Sequence, residues 1–218
     1  AMRQSLSRAI GHSTGAETGE EFLDWCLGLG IRTVTVWVLS TENFKRSEEE
    51  VQELFQILES EADRLNGDPR LHQHQVRVKA IGRIELLPER IQRLIQKMEA
   101  DTEKYDRHFL NIAIAYGGRA EILDAVKKIS EDIKSGRIAS VEIDEDLFRS
   151  YLYTSHLPNP YPDLIIRTSG EERLSGFLLW QSAYSEFCFL DVYWPDFRRI
   201  DLLRAIRIYQ NRRRRFGQ

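Results

Sequence analysis

The feature that most restricts the fold is an alternation of short β-branched runs with longer segments whose apolar residues recur every three or four positions. Residues 31–39, which include Val34, Val36, Trp37 and Leu39, read as a strand buried on both faces, and 76–81 and 108–115 read as two more. A short apolar run at 163–166 is a fourth strand and 187–190 a candidate fifth. Between them the helical period appears. Phe22, Trp25, Cys26 and Leu29 share one face before Gly30 ends the segment. Ser47 with Glu50 is a capping box opening a helix that carries Val51, Leu54, Phe55, Leu58, Ala62 and Leu65, and Asn66-Gly67-Asp68-Pro69 stops it. Pro88 opens a helix with Ile91, Leu94, Ile95 and Met98 inward, and Gly117-Gly118 leads into another with Ile122, Val126, Ile129 and Ile133 inward. A short helix at 144–152 and one from Asp196 towards the C-terminus complete the set. Strands separated by helices need crossover connections. The expectation is therefore an α/β fold: one domain over residues 1–218, built on an open, mostly parallel twisted sheet with helices on both faces.

Composition narrows the function. The 31 Lys+Arg against 34 Asp+Glu give a net charge of −3, which excludes nucleic-acid binding by bulk charge. No apolar run approaches the ~18 residues of a membrane helix, and the expected location is the cytoplasm. Cys26 and Cys188 lie far apart in apolar settings and read as reduced core thiols. The charge is uneven, however: residues 198–218 hold eight arginines against the single acid Asp201, ending in the run Arg212 to Arg215. A solvated helix end and an anion site both suit such a run.

In open parallel sheets, ligands gather where the strands end. Three polar loops lie there: Ser40-Thr41-Glu42-Asn43-Phe44-Lys45-Arg46, Tyr116-Gly117-Gly118-Arg119, and the segment from Arg167 to Ser175. The last gathers Arg167, Thr168, Ser169, Arg173 and Ser175 about Gly170. Two guanidinium forks with hydroxyls suit a phosphate or diphosphate, and the competing reading is a surface network with Glu171 and Glu172. Ser40 and Asn43 offer neutral hydrogen-bonding groups, although neither is basic unaided. There is no dinucleotide fingerprint and no Walker loop. His72 and His74 read as surface residues, and His108 and His156 show no visible partner. His12, four residues after Arg8, would share a helical face with it.

These loops, with Asn111 through Arg119, Ile166-Arg167-Thr168-Ser169-Gly170-Glu171, Phe177 through Gln181, Ala183-Tyr184-Ser185-Glu186 and Trp194-Pro195-Asp196-Phe197, together resemble the cis-prenyltransferases, the undecaprenyl diphosphate synthase family, over essentially the whole chain. The resemblance implies an undecaprenyl diphosphate synthase-like fold with an apolar tunnel. It implies Mg²⁺-dependent condensation of isopentenyl diphosphate in cis onto an allylic prenyl diphosphate, giving a Z-polyprenyl lipid-carrier precursor. It assigns Arg167, Arg173 and Ser175 to isopentenyl diphosphate, and Arg8 and His12 to the allylic diphosphate. The loop carrying Ser40, Thr41, Glu42, Asn43, Phe44 and Arg46 lies over the reacting carbons, with Asn43 sharing in proton removal. Glu186 matches the Mg²⁺ carboxylate, and Arg215 and Gly217 match an ending that approaches the partner's active site in a homodimer. The wall of the tunnel is expected from Val51, Leu54, Phe55, Leu58 and Ala62. Delivery of the product implies peripheral association with a membrane.

Departures from the family pattern are Phe44 for a usual Trp, Ser47 for Pro, Glu172 for a frequent His and Gly176 for a frequent Asn. None removes a diphosphate donor. The family's opening strand and its Met-Asp-Gly-Asn-Gly-Arg loop would precede Ala1, so residues 1–218 alone are expected to turn over negligibly. Two alternatives are a non-catalytic partner subunit, which would usually lack both polar loops, and a nucleic-acid binder acting through Arg212 to Arg215.

Overall fold

A computed structural model describes residues 8–212, the side chains of residues 8–14 excepted. The elements in chain order are α1 (Arg8–Gly28), β1 (Thr33–Trp37), α2 (Glu48–Asn66), α3 (Pro69–Gln73), β2 (Val76–Ile81), α4 (Glu89–Thr102), β3 (His108–Ala113), α5 (Gly118–Lys134), α6 (Glu145–Ser150), β4 (Leu164–Arg167), β5 (Glu186–Phe189) and α7 (Arg199–Asn211). The fold is α/β, with parallel strands and intervening helices, as the sequence pattern requires. The residues group into two compact units, one of residues 32–160 and 176–181, the other of the remainder.

The larger unit is built on a three-stranded parallel sheet in the order β1-β3-β2. Register puts Val36, Ile112 and Ala80 side by side, and Trp37, Ala113 and Ile81 next to them. Because successive side chains point to opposite faces, these two rows face opposite ways. On one side Ala80 joins a core with Leu39, Ile114, Leu58 of α2 and Ile91 and Ile95 of α4, against which Phe44, Leu54 and Phe55 also pack. Each fully buried Leu or Ile there is worth roughly 1.5–3 kcal/mol. On the other side Ile81 and Ala113 meet Tyr116 and Leu178, flanked by Trp37, Tyr153 and Phe177. Ser47 caps α2, its hydroxyl accepting from the Glu50 amide, which is the N-cap half of the expected box.

Two expectations are corrected in this unit. β1 is half-buried along its length rather than buried on both faces, and Val38 just beyond it is 48% exposed, because β1 is the edge of its sheet among the described residues. In α5 the buried row is Gly118, Glu121, Ala125 and Ile129, while Val126 is 50% exposed. A carboxylate took the place that the apolar pattern gave to valine, because Glu121 finds three hydrogen-bond donors inside.

The smaller unit pairs β4 with β5 in parallel, Leu164 opposite Glu186 and Arg167 opposite Phe189. α1 begins at Arg8, well before the apolar face at Phe22, since its first half holds Ser, Thr and Gly and no apolar period. Phe22 packs edge-on against Trp194 and Phe197, and Trp194 Nε1 donates to the Gly15 carbonyl at 2.8 Å. α7 buries Asp201, Leu202 and Ala205, the Asp201 carboxylate accepting from the Arg198 amide at its N-terminus. Both cysteines are free and buried, and burial pushes the Cys26 thiol up to about 12. Among the described residues no helix is long and apolar enough to cross a membrane.

Candidate active site

The loop after β1 is built as a continuation of the sheet. The Tyr116 amide donates to Leu39 O, the Thr41 amide donates to Tyr116 O, and Ser40 and Tyr116 form a parallel bridge. A tight 3₁₀ turn, Thr41–Lys45, follows, and inside it the Asn43 Oδ1 accepts from both the Ser40 amide (2.7 Å) and the Ser40 hydroxyl (2.9 Å). Thr41 donates to Glu42, and Phe44 meets Phe55 of α2 at 6.0 Å between ring centres. Arg46 is exposed.

Two glycines make the fit possible. A Cβ on Gly117 would lie 2.8 Å from Thr41 Oγ1, and one on Gly118 would lie 2.6 Å from Gly176 O, to which the Gly118 amide donates at 2.7 Å. Gly117-Gly118 leads into α5 as its sequence suggests, and the pair also lets two stretches of chain approach. Arg119 beside them is exposed.

Behind this loop lies a polar network that the sequence did not reveal. Glu121, 1% exposed, accepts from the Tyr116 hydroxyl at 2.5 Å, the Tyr153 amide at 2.9 Å and Gln181 Nε2 at 3.0 Å. Burial raises its carboxyl above the usual range, against the pull of these donors. Burial, and then the charge of Glu121, raise the Tyr116 phenol as well. Beside it Arg83 holds Asp124 through two bonds of 2.9 and 2.8 Å, and Tyr153 donates to the same carboxylate. The Arg83 fork keeps Asp124 below the usual carboxylate range. His156, which showed no partner in the sequence, lies 2.8 Å from Asn111 Oδ1, and Asn111 Nδ2 donates to Thr35 across β3 and β1. A spacing of 45 residues between His156 and Asn111 leaves no local signal.

In the smaller unit the loop after β4 folds around Arg167. Its Nη1 donates to the Arg173 carbonyl at 2.6 Å and to Ser175 Oγ at 3.0 Å, so these three residues are together. The Ser169 and Gly170 amides tie the loop to Val192 O and Leu190 O. Ser169, Gly170 and Ser175 all have positive φ, at 75°, 67° and 50°. The Arg173 side chain is 64% exposed and pairs with Glu171, so the surface network weighed from composition is present too. Glu186, at the start of β5, accepts from Arg212 at 2.7 Å. That pairing across 26 residues joins the first arginine of the basic run to the carboxylate assigned to metal.

Arg8 and His12 lie in α1, their side chains outside the described residues, as are Arg215 and Gly217. Among the described residues no group of three or more His, Cys, Asp or Glu side chains is placed to hold a metal by itself.

Residues 1–217 match the family model described as putative undecaprenyl diphosphate synthase. The chain is 56% identical over 208 residues to the tritrans,polycis-undecaprenyl-diphosphate synthase (geranylgeranyl-diphosphate specific) of Methanopyrus kandleri, covering 95% of this chain and 76% of that protein. It is 52% identical over 217 residues to the isoprenyl transferase of Thermus thermophilus, covering 98% and 82%. The crystal structure of lavandulyl diphosphate synthase from Lavandula x intermedia, in complex with dimethylallyl diphosphate, matches with a TM-score of 0.94 at 35% identity over 99% of this chain and 92% of that one. A probable undecaprenyl diphosphate synthase from Campylobacter jejuni matches with a TM-score of 0.80 at 30% identity, covering 94% and 93%.

Proposed function

Because the chain belongs to the undecaprenyl diphosphate synthase family of cis-prenyltransferases, we propose that it condenses isopentenyl diphosphate in cis onto geranylgeranyl diphosphate and makes a Z-polyprenyl lipid-carrier precursor. The starter is supported by its relatives: seven, from Methanopyrus, Methanocaldococcus, Pyrococcus, Picrophilus and Thermoplasma, carry the name of a geranylgeranyl-diphosphate-specific synthase. The observation that carries the reading is Arg167 Nη1, which donates to both the Arg173 carbonyl and the Ser175 hydroxyl and so gathers these residues in one strand-end loop. Two guanidinium groups and a hydroxyl carried by one such loop suit a diphosphate.

In this reading Arg167, Arg173 and Ser175 hold isopentenyl diphosphate, and Arg8 and His12 hold the allylic diphosphate. Ser40, Thr41, Glu42, Asn43, Phe44 and Arg46 cover the reacting carbons. The allylic carbon–oxygen bond breaks and its electron pair leaves with the diphosphate. The alkene carbon of isopentenyl diphosphate bonds to the allylic carbon, and loss of one proton makes the new cis double bond. Charge develops on the departing diphosphate, so fixed cations aimed there lower the barrier. Arg8 and Arg46 are this chain's donors of that kind. Val51, Leu54, Phe55, Leu58 and Ala62 of α2, half-buried apart from the fully buried Leu58, would line the path of the growing hydrocarbon.

Glu186 suits Mg²⁺, which takes hard oxygen ligands and is commonly held by one or two carboxylates plus substrate phosphates. Arg212 engages only its Oε2 in the described contacts. Mg²⁺ bound there would neutralise diphosphate charge as the carbon–oxygen bond breaks. In a homodimer Arg215 and Gly217 would reach the partner's site, and the long product would bring the protein to a membrane surface.

The test is incubation of the full-length protein with labelled isopentenyl diphosphate, Mg²⁺ and geranyl, farnesyl or geranylgeranyl diphosphate, followed by sizing of the products. Geranylgeranyl diphosphate should give the highest kcat/KM and a long Z-product. No incorporation with any starter would overturn the reading, and a preference for geranyl or farnesyl diphosphate would overturn the starter.

A further inference from the structure

The Asn43 amide has a single orientation available to it. Its outer group faces the Ser40 backbone nitrogen at 2.7 Å, and a backbone N–H only donates, so the facing atom is oxygen and Nδ2 points the other way. The Ser40 hydroxyl donates to the same oxygen at 2.9 Å. Oδ1 therefore already accepts two hydrogen bonds, which uses both of its lone pairs, and an amide oxygen is in any case a very weak base. Ser40 is no better placed as a base, because the proton it would pass on points at that same amide oxygen. What the pair leaves available is the Nδ2 group of Asn43, with two N–H donors.

We infer that Asn43 serves prenyl transfer as a hydrogen-bond donor, through Nδ2, to a diphosphate oxygen, and that it does not accept the proton that the isopentenyl carbon loses. This rests on the proposed function and sharpens the role of one residue in it. The balance of the step then runs through the substrates. The electron pair of the broken carbon–hydrogen bond becomes the new double bond, and the proton passes to a diphosphate oxygen, the strongest base that the reactants bring. The donor is held ready before any ligand binds. Ser40 is bridged to Tyr116, the Thr41 amide is bonded to Tyr116 O, and the Tyr116 hydroxyl is anchored on buried Glu121. A donor fixed in this way loses no energy to reorganisation when charge develops beside it.

Two variants of the full-length protein separate donor from acceptor. Asn43→Asp keeps an oxygen for Ser40 and so keeps the turn, but replaces the Nδ2 donors by a carboxylate oxygen, a far better base. Asn43→Ala removes both functions. A donor role gives turnover by N43D equal to or below that of N43A, both down roughly 100-fold in kcat with a smaller change in KM. It also gives weaker binding of inorganic pyrophosphate by N43D than by N43A. Turnover by N43D above that of N43A, or equal or tighter pyrophosphate binding by N43D, overturns the inference. If thermal unfolding shows that N43D does not fold, N43A alone decides: pyrophosphate affinity unchanged from wild type overturns the donor role, and affinity at least several-fold weaker sustains it. A wild-type protein inactive with every starter removes the proposed function and this inference with it, whereas an active wild type with the wrong order of variants removes this inference alone.

Discussion

The two strand-end loops share backbone ties to a neighbouring segment but differ in what holds the rest of each loop. The loop after β1 hangs on backbone: a sheet bridge, close approach at Gly117 and Gly118, and a buried carboxylate behind it. The loop after β4 has backbone ties at its first turn, from Ser169 and Gly170 to Val192 O and Leu190 O, but beyond them it is held by side chains: Arg167 reaches the Arg173 carbonyl and the Ser175 hydroxyl, and exposed Arg173 pairs with Glu171. The first arrangement fixes a direction in space. Under the proposed function the second is made of contacts that a diphosphate would replace, since exposed ion pairs are worth little and guanidinium groups match phosphate oxygens as readily as carboxylates. In the proposed reaction, orientation for the bond-making step would fall to the first kind of loop and capture of a charged substrate to the second.

The contrast breaks most visibly at Glu121. Glu121→Ala leaves the Tyr116 hydroxyl, the Tyr153 amide and the Gln181 amide without their common acceptor, and should cost roughly 2–4 kcal/mol in urea unfolding. A loss below about 1 kcal/mol would mean that the loop after β1 does not depend on its buried support. Next in size is Arg173→Ala. It should lower kcat/KM for isopentenyl diphosphate roughly 10- to 100-fold while moving the unfolding free energy by less than about 0.5 kcal/mol, because the side chain is exposed. An unchanged KM and rate would remove Arg173 from substrate capture.

The smallest effect is in pH. Burial, and then Lys79 and Arg77, keep the imidazole of His156 below its usual value of 6.5, opposed by a hydrogen bond to the Tyr153 backbone and the charge of Glu99. With the folded value lowered, the unfolded chain takes up the proton first. This contribution to stability is complete above about pH 6.5 and is lost as pH falls through the folded value. His156→Gln retains a side-chain N–H for Asn111 but cannot titrate, so it should flatten unfolding free energy against pH below 6.5, by less than about 1 kcal/mol given its partial exposure. An identical slope in both proteins would place the pH dependence elsewhere.

Much of this organisation is written locally in the chain. The β-branched run ending in Val36 and Trp37, the Ser47 cap and the arginine-bearing loops are short-range patterns, and the elements they predict form. What the chain hides is whatever depends on long-range partners. Nothing local marks Glu121 as buried until Tyr116, Tyr153 and Gln181 are brought round it, and the Arg212–Glu186 pair joins residues 26 apart. The first half of α1 has no apolar period to announce it, and the direction of the Asn43 amide depends on one backbone N–H that no composition encodes.

The bridge between Ser40 and Tyr116 has a consequence for motion. The amides of Thr41 and Tyr116 are bonded as in a sheet although both lie outside the strands, so their protons exchange with solvent only when the ends of β1 and β3 part. The entry to the turn that carries Asn43 is therefore coupled to the opening of the sheet itself.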